Sequence, residues 1–247
     1  MIAVGSATLA RDTRHHRVLE NGFSFHRSEW MQTGSDPQLS PTVFLVEQPP
    51  HSVLPAHFHT QNQFQVFKQG SGSLGSRAVG PGSVHYAGAF TGYGPLMAGP
   101  QGLSYFTIRA VYETGANFLP VARDKLRRGP KRHAHGPTHE PRALEQLRAL
   151  KAPVRAELIE ADAGGPEAFA LQLPPFSELW VPAARGSGQF QLVLAGELNT
   201  PERRLQQWES RFLSMGEHGG TCSAGPQGLH LLVLQVPAMA AEYLPVR

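Results

Sequence analysis

His57-Phe58-His59-Thr60-Gln61-Asn62-Gln63-Phe64-Gln65-Val66-Phe67-Lys68-Gln69-Gly70 decides how the rest of this chain is read. Two histidines stand two apart, and on a strand that spacing projects both imidazoles from one face. Gln63, far enough on to pass a bend, opens an alternating run with Phe64 and Val66 on one side and Gln65 and Phe67 on the other. Gly70-Ser71-Gly72 closes the run as a turn. Part of the stretch then returns. Gln63-Phe64-Gln65 with Gly70 reappears as Gln189-Phe190-Gln191 with Gly196, an offset of 189 − 63 = 126. Ala98-Gly99-Pro100-Gln101-Gly102-Leu103 reappears unchanged as Ala224 to Leu229, and 224 − 98 is again 126. Two separated matches in one register argue for a duplicated unit. The second copy has Ala183-Ala184-Arg185 where the first has its histidine pair, so chemistry is expected in the first half.

The composition supports a globular chain of many short strands. Its 247 residues suffice for one large or two modest domains, and 26 glycines and 21 prolines supply frequent turns. No apolar run approaches the roughly 18 residues of a membrane helix. The N-terminal segment, with its charges after a short mixed stretch, runs opposite to a secretory signal. A lone Cys222 cannot form an internal disulfide. A cytoplasmic location is therefore expected. The net charge of +3 does not point to nucleic acid, and the basic cluster from Arg123 to Arg132 lacks the interleaved aromatics that stack on bases.

Thr42–Val46, Gln63–Phe67, Ser83–Ala87, Leu103–Tyr112, Leu171–Leu173, Phe190–Leu194 and Leu229–Val236 read as strands from their β-branched and aromatic content. After Pro141, Leu144, Leu147 and Leu150 are spaced by three, which predicts a short helix ending before Pro153 and packed outside a barrel. Pro201–Phe212 is open between a helical turn and a strand. Residues 121–140, polar, basic and rich in Pro and Gly, read as a linker. The fold class expected is all-β: two antiparallel β-barrels of the jelly-roll type with a short interdomain helix. The boundaries expected are 1–120 for the first barrel, 121–152 for linker and helix, and 153–247 for the second barrel.

His57, His59 and Gln63 converging inside a barrel would make a site for a first-row transition metal. His57-x-His59, then Gln63, then Gly70 also resembles the first motif of the cupin family, His-x-His-x(3–4)-Glu-x(6)-Gly. Pro81-Gly82-Ser83-Val84-His85-Tyr86 resembles the turn and strand that open the second cupin motif. With the repeat, residues 40–112 and 168–237 resemble a bicupin, which implies two cupin barrels of the double-stranded β-helix type. The sequence departs from the family in three places. Gln63 stands where cupins carry Glu, Tyr93 stands nearest the place of the late His, and His51 and Pro55 occupy the stretch where a Gly normally precedes the His pair. His85 is the residue that could complete a three-histidine set if its strand face points inward. Tyr93 is a second candidate, as ligand or as acid/base group.

His133-x-His135 with His139 copies the spacing of His57, His59 and Gln63, but is read as part of a flexible basic loop with no strand to hold it. Arg185 lies where ligands would be in the second half and is expected at the rim. Glu217, His218 and His230 have no motif spacing, so the second half is read as structural.

The resemblance implies a metal-dependent enzyme, dioxygenase- or isomerase-like, acting on a small oxygenated organic substrate in the N-terminal barrel. His57 and His59 would hold Fe(II), or else Mn(II), Ni(II) or Zn(II), with Gln63 and His85 as further ligands. Gln65, Phe67, Tyr93 and Tyr105 would line the substrate pocket. Two other classes stand beside it: a small-ligand-binding or regulatory bicupin without catalysis, and a metal-free epimerase or isomerase using Tyr93 and His85 as acid and base. A small molecule is the partner expected, with neither nucleic acid nor membrane and with a homodimer possible.

Overall fold

A computed structural model describes residues 1–244. The chain divides into two compact units, and neither coincides with a continuous half of the sequence. The N-terminal unit comprises Leu9–Thr138 joined by the chain from Met239. The C-terminal unit comprises His139–Ala238 joined by Met1–Thr8.

The N-terminal unit is built on a nine-stranded antiparallel sheet. In spatial order its path runs His133–His135, Val84–Ala87, Gln63–Leu74, Leu96–Arg109, Thr42–Gln48, Ser24–Gln32 and His15–Val18. Val53–Leu54 pairs beside Leu96–Arg109, and Arg77–Val79 beside Gln63–Leu74. A separate two-stranded pair joins His57–Phe58 to Asn117–Phe118. The C-terminal unit has an eight-stranded sheet running Ile2–Gly5, Ser210–Leu213, Gly188–Asn199, His218–Val236, Glu167–Leu173 and Val154–Ile159. Neither sheet closes through hydrogen bonds among the described residues, so the closed barrels expected from the sequence are open sheets.

The pairing register recurs at the sequence offset. Gln65 pairs His85 as Gln191 pairs Arg211, Leu103 pairs Gly70 as Leu229 pairs Gly196, and Ile108 pairs Phe64 as Leu234 pairs Phe190. Each repeated glycine has a local reason. Gly70 and Gly196 hold φ of +79° and +76°, and a Cβ on either would run into the carbonyl of Gly102 or Gly228. Only a residue without a side chain permits that bulged crossing of two long strands.

Inside the N-terminal unit, Phe67, Tyr93, Leu96, Leu103 and Tyr105 form one apolar core. In the C-terminal unit, Val181, Val193, Leu198, Leu229 and Leu231 form another. Burying such side chains supplies roughly 1.5–3 kcal/mol each. The predicted helix exists as one short turn, Leu144–Arg148, whose Leu147 is buried against the Gly228 bend of the C-terminal unit.

One expectation needs correction. Residues 121–140 are not a plain linker, because His133–His135 forms an edge strand paired with Val84–Ala87. Nothing local signals it: the strand is three residues long, sits between basic and Gly-Pro residues, and finds its partner far back along the chain. Ile2–Gly5 does the same service in the C-terminal unit, pairing Ser210–Leu213 at the equivalent edge. No helix among the described residues is long and apolar enough to cross a membrane.

Candidate functional site

His57 and His59 arrive in the interior as the strand alternation predicts, because Phe58 between them packs in a separate cluster with Ala89, Phe90 and Tyr243. Tyr93 is fixed beside His57 by backbone. The two residues exchange both N–H···O bonds, at 3.0 and 2.9 Å, as an isolated antiparallel bridge. Gln63 and Gln65 enter from the alternating strand. Opposite them, Tyr105, Thr107 and Arg109 occupy the inward face of Leu96–Arg109, since Tyr105 pairs Phe67, Thr107 pairs Gln65, and Arg109 follows beside Gln63.

These side chains form one buried hydrogen-bonded network. The Pro55 carbonyl accepts from His57 Nδ1 at 2.7 Å, which leaves Nε2 to accept the Tyr93 hydroxyl at 2.9 Å. The Gln63 amide donates to the same hydroxyl. Arg109 donates from Nε and Nη2 to Gln63 Oε1 at 3.1 and 2.9 Å, and its Nη2 lies 3.0 Å from His59 Nδ1. Glu113 completes the set. Its Oε1 accepts from Thr60 N–H at 2.7 Å, and its Oε2 lies 3.0 Å from His59 Nδ1 and 3.6 Å from Arg109 Nη1.

Burial sets the protonation states. It pushes His57 down to about 3, helped by the neighbouring His59, and it lowers His59 with Arg109 adding to the effect. Both imidazoles are neutral at pH 7. Tyr93 is pushed up by the same burial and keeps its proton. Burial also pushes Glu113 up, but the His59 hydrogen bond, the charge of Arg109 and the Thr60 N–H outweigh it, so the carboxyl stays ionised. The network thus contains one fixed cation, one fixed anion and four neutral polar side chains.

A metal held by His57, His59 and Gln63 does not fit this donor set. The Gln63 oxygen is committed to a guanidinium, the His57 lone pair to a hydroxyl, and a permanent positive charge stands among the would-be ligands. What the network borders instead is a cavity of about 90 Å³. Phe23, Phe25, Phe44, Tyr105 and Phe118 give it apolar walls, and Arg17, Arg27, Arg109 and Glu113 also line it. Three guanidiniums against one carboxylate leave the lining net positive. Arg27 itself is spread over the Phe44 ring at 3.7 Å and pairs with Glu29 at 2.5 Å.

Of the expected pocket residues, Gln65, Tyr93 and Tyr105 line the cavity. Phe67 does not; it packs in the apolar core with its ring 5.4 Å from the Tyr105 ring. Arg109 and Glu113 were missed by sequence reasoning. Arg109 was within reach of it, because it continues the inward alternation Tyr105, Thr107 on a strand already recognised. Glu113 lies in a loop and carries no such signal.

His85 is buried, but its ring nitrogens meet Gln65 and His133 rather than His57. Its Nδ1 is 2.8 Å from Gln65 Oε1 and its Nε2 is 3.4 Å from His133 Nδ1. His139 does not join that cluster. It lies in the C-terminal unit with its ring 5.0 Å from His230. In the same unit Arg185 is exposed and pairs with Glu167 at 2.6 Å, as expected of a rim residue. The interior arginine there is Arg211, fully buried at the register position equivalent to His85 and paired with Glu202 at 3.0 Å.

No family model matches the chain, and no curated protein matches it. Solved structures do. Oxalate decarboxylase of Bacillus subtilis, described with Mn(II) centres, is similar at a TM-score of 0.60 and 13% identity, over 94% of this chain and 77% of that one. The pirin YhhW of Escherichia coli, solved in complex with nickel(II), is similar at 0.58 and 11%, over 97% and 100%. A candidate dioxygenase of Nostoc punctiforme is similar at 0.56 and 14%, over 100% and 84%. At these identities the likeness concerns architecture alone: the chain has the cupin fold.

Proposed function

We propose that the chain is a bicupin whose N-terminal unit binds a small oxygenated organic acid, with a guanidinium at the place where the sequence pattern led us to expect a metal. The carrying observation is Arg109, 2% exposed, hydrogen-bonded to Gln63 and lining a cavity whose charged groups sum to a net positive value. A carboxylate entering that cavity would meet the fixed charge of Arg109 and an Nη1 N–H beyond those engaged with Gln63, His59 and Glu113. Phe25, Phe44 and Tyr105 would cover its apolar body. His57 and Tyr93 supply neutral polar contacts, because burial holds one unprotonated and the other protonated. Recurrence of the pairing register at 126 residues supports the duplicated reading, and the C-terminal unit, whose interior cation is already neutralised by Glu202, is a structural partner.

Turnover is the second reading. Tyr93 lines both this cavity and an adjoining open cleft that holds His85, which favours an enzyme in which a divalent metal would supply Lewis-acid or redox chemistry of the dioxygenase or isomerase kind. The binding reading is tested by thermal shift of EDTA-treated protein against matched aromatic and aliphatic acids, amides and alcohols. Stabilisation confined to acids, and absent in Arg109→Met, supports it. Equal stabilisation by the neutral analogues, or acid binding that survives Arg109→Met, contradicts it.

A further inference from the structure

Outside the Arg109 network, the described residues contain one group of three metal-ligating side chains whose ligand atoms all lie within 4.8 Å of one another: His85, His133 and His135. Pairing of the edge strand creates it. His135 stands directly opposite His85, and His133 opposite Ala87, so all three rings emerge on one face. The His135 ring lies over the His85 ring at 4.5 Å, 25° from parallel.

The hydrogen bonds decide what the imidazole nitrogens can do. His133 Nε2 lies 3.1 Å from the carbonyl of Gly92, which can only accept, so that nitrogen carries the proton. His85 Nδ1 lies 2.8 Å from Gln65 Oε1 and carries its proton by the same argument. Each neutral ring then has one bare lone pair left, on His133 Nδ1 and His85 Nε2. Those two atoms face each other at 3.4 Å. Two acceptors so placed repel unless a cation lies between them. Two nitrogens bound to one zinc-like ion at 2.0–2.1 Å and the tetrahedral angle are separated by about 3.4 Å. The outer N–H groups anchored on a carbonyl and an amide oxygen form the orienting shell that ligating histidines require.

We infer that His85, His133 and His135 form a binding site for a divalent first-row transition ion of the imidazole-preferring class, Zn(II), Co(II) or Ni(II), separate from the His57–His59 pair. Three histidines leave a coordination position open. That position faces a cleft of about 470 Å³ lined by Arg77, Gly92, Tyr93 and Gly94. Arg77 beside a dipositive ion selects a small anion as the exogenous ligand. The site does not depend on the organic-acid reading, since none of its ligands belongs to the Arg109 network.

The test is equilibrium dialysis of untagged, EDTA-stripped full-length protein against Zn(II) and Co(II), with elemental analysis and the visible spectrum of the Co(II) form. The expected result is one ion per chain with the intense visible bands of four-coordinate Co(II). His133→Ala should weaken binding at least tenfold, His133→Ala/His135→Ala should abolish it, and His57→Ala should leave it unchanged. His133 is exposed at a sheet edge, so its single variant keeps the fold, which the melting temperature checks. No binding by the wild type, binding that survives the double variant, or loss in His57→Ala alone would overturn the assignment.

Discussion

Replacing Arg109 by Met removes a charge but preserves most of the side-chain volume, and its cost can be worked from the partners left behind. Gln63 Oε1 loses both of the N–H donors that Arg109 gives it, at 3.1 and 2.9 Å. A buried acceptor left unsatisfied costs about 1–3 kcal/mol. Glu113, whose side chain is 8% exposed, loses its guanidinium neighbour at 3.6 Å. Breaking a buried pair costs about 3–5 kcal/mol when the remaining charge has no other partner. Glu113 does have others: Thr60 N–H, the Thr60 hydroxyl at 3.0 Å and the His59 ring. The second term therefore falls well below its range, and the sum is about 3 kcal/mol. For a unit of this size that shifts its calorimetric transition down by roughly 10 °C. Glu113→Gln removes the charge that Arg109→Met leaves without its guanidinium neighbour. The double variant Arg109→Met/Glu113→Gln should accordingly cost less than the sum of the two single variants, by at least 1 kcal/mol. An Arg109→Met transition within 2 °C of wild type would refute the reasoning. Strict additivity in the cycle would do the same.

Acid should destabilise the N-terminal unit earlier than carboxylate protonation alone explains. His57 has a folded value near 3, below its unfolded value of 6.5, so its contribution is complete above about pH 6.5 and is lost as pH falls toward 3. Urea unfolding at pH 7, 6, 5 and 4 should show His57→Asn flattening the pH slope by about 1.4 kcal/mol per unit, and equal slopes would count against a neutral buried imidazole. Tyr93→Phe deletes the hydroxyl shared by His57 and Gln63 and should cost about 1–2 kcal/mol in denaturant titrations; an unchanged midpoint would mean the network is not formed. Gly70→Ala and Gly196→Ala should each destabilise by more than 2 kcal/mol, because φ is positive and the facing carbonyl blocks a Cβ at both. Unequal effects would argue that the two bends are not equivalent.

How much of this was legible in the sequence depends on whether a signal was local. Alternation placed His57, His59, Gln63 and Gln65 on inward faces, and counting from Pro81-Gly82 placed Tyr93 among them, all within short windows where side-chain period and turn residues decide geometry. Arg109 obeys the same alternation, but a lone arginine on a strand matches no ligand spacing and so carries no motif signal. The His133–His135 strand is a different case. Its three residues have no periodicity of their own, and they become a strand only because Val84–Ala87 offers an unpaired edge about fifty residues earlier. Ile2–Gly5 was illegible for the same reason, its partner lying near the other end of the chain. Arg185 and Arg211 show the limit of reading by offset. The first sits opposite the histidine pair in sequence and ends exposed at the rim, whereas the second matches His85 and points inward.

Isothermal titration of EDTA-treated protein with the most stabilising acid from the thermal-shift panel tests the central claim most directly, run beside Arg109→Lys. The account predicts binding near one molecule per chain without any metal present. It also predicts at least a tenfold loss in Arg109→Lys, where a charge is kept but the planar guanidinium that holds Gln63 and Glu113 in place and lines the cavity is gone. Acid binding that appears only after a divalent ion is restored, and that vanishes in His57→Ala, would put a metal back at the centre and contradict the account.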